Sequence, residues 1–223
     1  MTINCMNIKN ISSDEYHYFM NIVSKERSNK ANHFRFMKDA YRCVFAEILL
    51  SYCLYETFNE KVSIDLKYNK YGKPIMRNLS NFSFNISHSG DWVVVAYGKS
   101  EVGVDIEKIQ SNESPILDSI LSEEETKYVY SDEEKRNSRF IEIWGAKESY
   151  IKYLGTGLST AMNSFSVNIP ECTIIDNNRT FNNKIHVESI LYDKDYYLTI
   201  CSEEKNIVIR EVTLKDIYDK LML

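Results

Sequence analysis

Between residues 39 and 58, Tyr41, Val44, Phe45, Ile48, Leu49, Tyr52 and Leu54 recur at helical spacing with little polar interruption. A helix that is apolar around so much of its circumference is stable only when covered on most sides, so the rest of the chain must build a core around it. It is predicted to be the spine of the first half. The chain has 223 residues, 43% of them hydrophobic and 26% charged, which is the composition of a soluble globular protein and excludes disorder as its main state. That length accommodates one large domain or two of about 110 residues each.

Upstream, Ser12 and Glu15 read as a capping box ahead of Tyr16, Phe19, Ile22 and Val23, predicting a short amphipathic helix followed by a polar, basic stretch. Beyond Asn59 the pattern turns β-rich at 62–66, 82–86, 92–97 and 102–106. Turn-prone clusters divide it at Tyr71-Gly72-Lys73-Pro74 and Ser87-His88-Ser89-Gly90. The order then repeats. Ser122 with Glu125 and Ser131 with Glu134 suggest two further capping boxes, the second opening a long helix through Phe140, Ile143, Trp144, Tyr150, Ile151 and Leu154 that stops near Gly155. Strands are expected at 164–169, 185–192, 196–201 and 207–212, with a closing helix at 214–221. The fold class is therefore α+β, in two similar halves, 1–108 and 109–223. Residues 172–184, rich in Asn, receive no assignment.

Lys and Arg number 27 against 32 Asp and Glu, a formal net charge of -5. Bulk attraction to nucleic acid is not expected, and any polyanionic ligand must meet a local basic cluster. Cys5, Cys43, Cys53, Cys172 and Cys201 are odd in number and contain no CxxC pair, which suggests neither a disulfide framework nor a thiolate zinc site and fits a reducing cytoplasm. Residues 1–10 lack the apolar core of a signal peptide, and no apolar run approaches the roughly 20 residues of a membrane span, so no membrane partner is expected.

The residues able to carry chemistry fall in four places. Asp105 and Glu107, at i and i+2 of a strand with apolar neighbours, point to one face about 7 Å apart and can converge on a cation. The plainer reading is a solvated strand edge. Glu148 and Lys152 share a helical face at i and i+4, with Lys147 beside them; alone this is a surface ion pair, but a third carboxylate near the first two completes the oxygen-rich set that Mg²⁺ prefers. Ser87, His88 and Ser89, beginning a turn after a strand, could hold a phosphate through hydroxyls, imidazole and backbone N–H groups, or His88 could simply cap the strand. Arg27, Lys30 and Arg42 form a loose basic set, with Lys73 in the turn before Pro74. His17, His33 and His186 have no partners at ligand spacing. Gly98-Lys99-Ser100 imitates the end of a P-loop, but seven residues separate Gly90 from Gly98 where that loop takes four.

Taken in order, Tyr71-Gly72-Lys73-Pro74, the run from Phe84 to Ser89, Gly103-Val104-Asp105-Ile106-Glu107 and the run from Trp144 to Lys152 resemble the motif set of the Sfp-type 4′-phosphopantetheinyl transferases. Gly155-Thr156-Gly157-Leu158-Ser159 also fits, and the likeness extends from about Ser24 to Phe165. The resemblance implies two α+β halves related by a pseudo-twofold axis with the active site between them. It implies transfer of the phosphopantetheine arm of coenzyme A to a serine of an apo acyl or peptidyl carrier protein, releasing adenosine 3′,5′-bisphosphate. It further implies Asp105, Glu107 and Glu148 as Mg²⁺ ligands, Lys152 neutralising the pyrophosphate, and Lys147 as a second phosphate contact. Glu148 is similar to the residue proposed as the base for the carrier serine, a role a metal-bound water could also fill. Ser87, His88, Arg42, Lys30 and Arg27 resemble phosphate-holding positions, and Gly72, Lys73 and Pro74 the adenine-side turn. Arg27 stands where members of the family carry Lys, which keeps the charge but changes its geometry. Gly145 and Ala146 stand where bulkier residues are usual. Pro115, Ile116, Leu117 and Ile120 are candidates for the carrier-docking patch.

The family's two fused halves imply a monomer. Two other functions remain open on the sequence: a Mg²⁺-dependent hydrolase or phosphotransferase acting on another nucleotide diphosphate, and a catalytically silent protein that binds coenzyme A or a carrier.

Overall fold

The computed structural model describes residues 1–110, 117–181 and 184–221. Strand β1 (Thr2–Asn7) precedes three helices, α1 (Ser13–Met20), α2 (Lys25–Asn32) and α3 (Met37–Phe58). Strands β2 (Leu66–Tyr68), β3 (Pro74–Met76), β4 (Ser83–Ser89), β5 (Trp92–Gly98) and β6 (Val102–Lys108) follow. Then come α4 (Leu117–Ile120), α5 (Glu123–Tyr130) and α6 (Arg136–Leu154), two single 3₁₀ turns, β7 (Ser166–Asn168), β8 (Thr173–Ile175), β9 (His186–Tyr192), β10 (Tyr196–Ser202), β11 (Val208–Glu211) and α7 (Leu214–Leu221).

The strands form a sheet of order β11-β1-β5-β4, a second of order β6-β10-β9-β8-β7, and the small hairpin β2-β3. Alternation along the strands explains how the two large sheets pack. Val93, Val95 and Tyr97 of β5 join Phe45, Leu49 and Tyr52 of α3 in one core. Trp92, Val94 and Ala96, pointing the other way, meet Val102, Val104 and Ile106 of β6 and Leu198 and Ile200 of β10. Because successive residues face opposite sides, Gly103, Asp105 and Glu107 turn from that central core toward α6. Helix α6 covers the outer face of the second sheet, with Ile143, Ala146 and Tyr150 packed against Phe165, Val167 and Val187. Glycine permits its close approach: a Cβ on Gly103 would stand 1.9 Å from the backbone oxygen of Ser149.

Between β4 and β6 side chains stitch what no backbone ladder joins. Asn85 Oδ1 accepts from the Val104 N–H at 3.1 Å, Ser87 Oγ donates to Asp105 Oδ1 at 2.8 Å, and Ser89 Oγ donates to Glu107 Oε2 at 2.9 Å. The period-two spacing of 85, 87 and 89 is therefore strand geometry. Ser87 to Ser89, expected to begin a turn, lie in β4, and the turn itself is Gly90-Asp91, where Gly90 takes φ 56°.

The two-half α+β architecture is as expected, but several elements differ. Strand β6, grouped by the sequence with residues 1–108, pairs with β10, and β11 returns to lie parallel to β1. Of the strand expected at 62–66 only Leu66 is in one. The capping boxes at Ser12 and Ser122 form. The one expected at Ser131 does not: Ser131 ends α5, its Oγ donating to the Tyr128 carbonyl, and α6 starts at Arg136 without a side-chain cap. No described helix is long and apolar enough to cross a membrane.

Candidate active site

A cleft of about 570 Å³ opens where α2 and the β2–β3 hairpin of the first half face β6 and α6 of the second. Asp105 and Glu107 enter it from β6, and Trp144, Glu148 and Lys152 from successive turns of α6, since i, i+4 and i+8 fall on one helical face. Arg27, Lys30, Gly72, Pro74, Ser87 and His88 line the remainder.

The acidic side is organised around Lys152. Its Nζ donates to Asp105 Oδ1 at 2.6 Å and to Ser87 Oγ at 2.9 Å. Asp105 is only 2% exposed, and its other oxygen, Oδ2, is buried without a hydrogen-bond partner. Burial, reinforced by the Asp105 charge, pushes Glu107 up to about 7 against the opposing pull of the Ser89 hydroxyl and Lys152. Burial also raises Glu148, with Asp105 adding to the shift and Lys152 opposing it.

Among the described residues no group of three or more His, Cys, Asp or Glu stands arranged as a metal site. The residues nevertheless suit a hard cation. All three acids line one cleft, the buried Oδ2 of Asp105 that lacks a partner belongs to this cluster, and burial raises the pKa of the other two carboxylates against the pull of Lys152. Lys152 holds the Asp105 oxygen that a metal would otherwise find free.

The basic side is more selective than the sequence suggested. Arg27 and Lys30, one turn apart on α2, both line the cleft. His88 does too, and desolvation together with the Arg42 and Lys152 charges holds its imidazole below the usual range. Arg42 does not reach the lining: Nη2 pairs with Asp39 at 2.8 Å and Nη1 donates to the Gly90 carbonyl at 3.3 Å. Gly72, at φ 89°, and Pro74 bound the cleft, whereas Lys73 between them turns away to pair with Glu101 at 2.7 Å and donate to the Tyr153 carbonyl at 3.1 Å. Lys73 ties the hairpin to α6, and beside it Asn69 Nδ2 donates to the Gly155 carbonyl at 2.7 Å.

Lys147, expected at the phosphates, requires a correction. Its side chain is fully buried outside the cleft, where Nζ pairs with Glu125 at 2.9 Å and donates to the carbonyls of Met162 and Phe165, each at 2.8 Å. The physical reason is helical pitch: one residue from Glu148 is about 100° around the axis, which turns Lys147 into the core that α6 shares with α5.

Trp144, which opens the α6 motif, also lines the cleft, as do Phe34, Cys43 and Tyr68, which nothing in the sequence singled out as site residues. An apolar groove of about 620 Å³ adjoins it, sharing Trp144, Glu148 and Lys152 and adding Ile120, Ile151, Leu158 and Met162. Of the expected carrier-docking patch, Ile120 lies in this groove and Leu117 opens α4, while Pro115 and Ile116 fall outside the described residues.

Comparison with known proteins gives a concordant result. Residues 101–201 match the family model of the 4′-phosphopantetheinyl transferase superfamily, and residues 10–100 match that of the 4′-phosphopantetheinyl transferase N-terminal region. The chain is similar to the 4′-phosphopantetheinyl transferase ffp of Bacillus subtilis, with 36% identity over 72% of this chain and 73% of the relative. It is similar also to psf-1 of Bacillus pumilus, at 32% over 82% and 79%, and to Sfp of Bacillus subtilis strain 168, at 33% over 71% and 72%.

Proposed function

Because this chain belongs to the 4′-phosphopantetheinyl transferase superfamily, we propose that its cleft binds coenzyme A and presents it to the serine of an apo carrier protein. The chain is an enzyme, a 4′-phosphopantetheinyl transferase. In the reaction the serine oxygen forms a bond to the phosphorus bearing pantetheine, the bond from that phosphorus to adenosine 3′,5′-bisphosphate breaks, and the serine proton is lost. Phosphoryl transfer of this kind is catalysed mainly by alignment and charge neutralisation.

The division of charge across the cleft supplies both. Arg27 and Lys30 hold phosphate oxygens on the first-half side, and His88, neutral near pH 7 by its lowered pKa, adds a hydrogen bond. Arg42 acts only through the positive field beside His88. Gly72 and Pro74 bound the adenine end. On the opposite wall Lys152 neutralises charge growing on the leaving bisphosphate. Glu148, or a water beside it, takes the serine proton. Asp105, Glu107 and Glu148 would hold Mg²⁺, which when bound supplies Lewis-acid neutralisation of the pyrophosphate.

One observation carries this reading: three acids and Lys152 from β6 and α6 face Arg27, Lys30 and His88 across a single cleft. It is tested by mixing purified protein, coenzyme A, Mg²⁺ and an apo carrier. The carrier should gain the mass of one phosphopantetheine, and Glu148→Gln should slow the gain by roughly 10²-fold or more. Release of bisphosphate without a carrier adduct would favour a hydrolase instead, and binding without either product a silent binder. A cytoplasmic monomer, acting without nucleic acid or membrane, completes the proposal, and its oligomeric state is read by light scattering.

A further inference from the structure

Glu47 is a carboxylate buried in the middle of α3, only 6% exposed, beside a wall assigned to bind anions. An unpaired charge there would be costly, and placing a negative group next to phosphate-binding cations weakens them, so its presence calls for a physical role. Its contacts identify one. Oε1 accepts from the Ser24 backbone N–H at 2.5 Å, and Oε2 accepts from Ser24 Oγ at 2.9 Å and from Arg27 Nε at 3.1 Å. Ser24 is the N-cap of α2, and its hydroxyl also accepts from the Arg27 N–H at 3.2 Å. Every one of these bonds fixes the first turn of α2.

That helix needs fixing. It has eight residues, Ala31 is its only buried one, and helices so short are unstable without tertiary support. Yet α2 supplies both Arg27 and Lys30 to the cleft. We infer that Glu47 is a positioning residue for anion binding: by clamping the cap of α2 and the Nε edge of Arg27, it holds the guanidinium, whose Nη1 also contacts Cys43 Sγ at 3.8 Å, on the cleft wall where a phosphate of the substrate binds. The inference rests on the assignment of this wall to phosphate made under Proposed function. Glu47 touches neither substrate nor reacting atoms, and its effect passes through Arg27.

The test is a cycle of Glu47→Gln, Arg27→Gln and the double variant, with adenosine 3′,5′-bisphosphate binding read by calorimetry and transfer kinetics read with coenzyme A. Glu47→Gln should weaken the bisphosphate about five- to tenfold and raise KM for coenzyme A in proportion, with kcat within about twofold of wild type. In the Arg27→Gln background the same change should add little. Unchanged or tighter binding by Glu47→Gln, a matching fall in kcat, or an undiminished effect without Arg27 would overturn the inference. Arg27→Gln that left bisphosphate binding intact would instead remove the phosphate assignment of the wall. Should Glu47→Gln fail to fold, Ser24→Ala at the exposed cap loosens the same clamp and should shift KM in the same direction; no shift would count against the inference.

Discussion

Replacing Lys147 by Met separates a structural lysine from a phosphate-binding one. In the native protein its three ammonium protons meet three acceptors, Glu125 at 2.9 Å and the carbonyls of Met162 and Phe165 at 2.8 Å, with the Phe165 ring centroid 4.6 Å from Nζ. Glu125, 1% exposed, spends its remaining capacity on the N–H groups of Val167 and Ser122, each at 2.7 Å. Lys147→Met leaves that carboxylate charged and buried without its cation, and strands two carbonyls. Breaking one side of a buried pair costs about 3–5 kcal/mol, and at about 2–4 °C per kcal/mol for a chain of this size the midpoint should fall by about 6–20 °C. Glu125→Gln in the same chain removes the stranded charge and should recover part of the loss. Thermal and urea melts read both changes, while KM for coenzyme A, measured well below the lowered midpoint, should remain within about twofold of wild type. A variant of native stability with a sharply raised KM would refute the reasoning and return Lys147 to the phosphates.

Two further outcomes follow from the acids. Glu107, raised to about 7, and Glu148, also raised, have folded pKa values above their unfolded ones, so in metal-free buffer the stability they contribute should be fully present below about pH 4.5 and be lost as pH rises toward and through 7. Added Mg²⁺ should flatten the decline, and melts at several pH values showing no slope would contradict the burial argument. Lys152→Met should cut transfer by roughly 10²-fold yet enlarge the thermal shift produced by Mg²⁺, because Asp105 Oδ1 loses its competing ammonium; a smaller shift would show that lysine and metal do not compete.

How much of this was readable in the chain varied with the range of the deciding contact. Helix α3 stood out by its helical apolar stripe, and strands β4, β5, β6 and β10 as runs of β-branched and aromatic residues bounded by turn-prone clusters. Helix α2 was missed because a single buried Ala31 generates no periodicity, although Ser24 at its cap was a usable signal. Strand β1 was missed because Asn4 and Asn7 break its apolar run, whereas β5, equally covered on both faces, is continuous in β-branched and aromatic residues; Asn4 is nonetheless buried, donating to Glu56 at 2.8 Å. The i, i+4 relation that joined Glu148 to Lys152 holds, since a helix fixes it. The loss of Arg42 to Asp39 could have been anticipated from their i, i+3 spacing. The withdrawal of Lys73 to Glu101 and of Lys147 to Glu125 could not, because those partners lie far along the chain and only packing brings them together.

The stitching of β4 to β6 bears on how such an enzyme can change. Backbone ladders tolerate almost any substitution, since every residue except proline offers the same N–H and C=O, but Asn85, Ser87 and Ser89 hold the seam through groups that only certain side chains possess. Two of those groups are bonded to the same carboxylates that give the cleft its charge. Any mutation that retunes the acids at these positions also loosens the joint between the halves, so acidity and alignment are not free to drift separately.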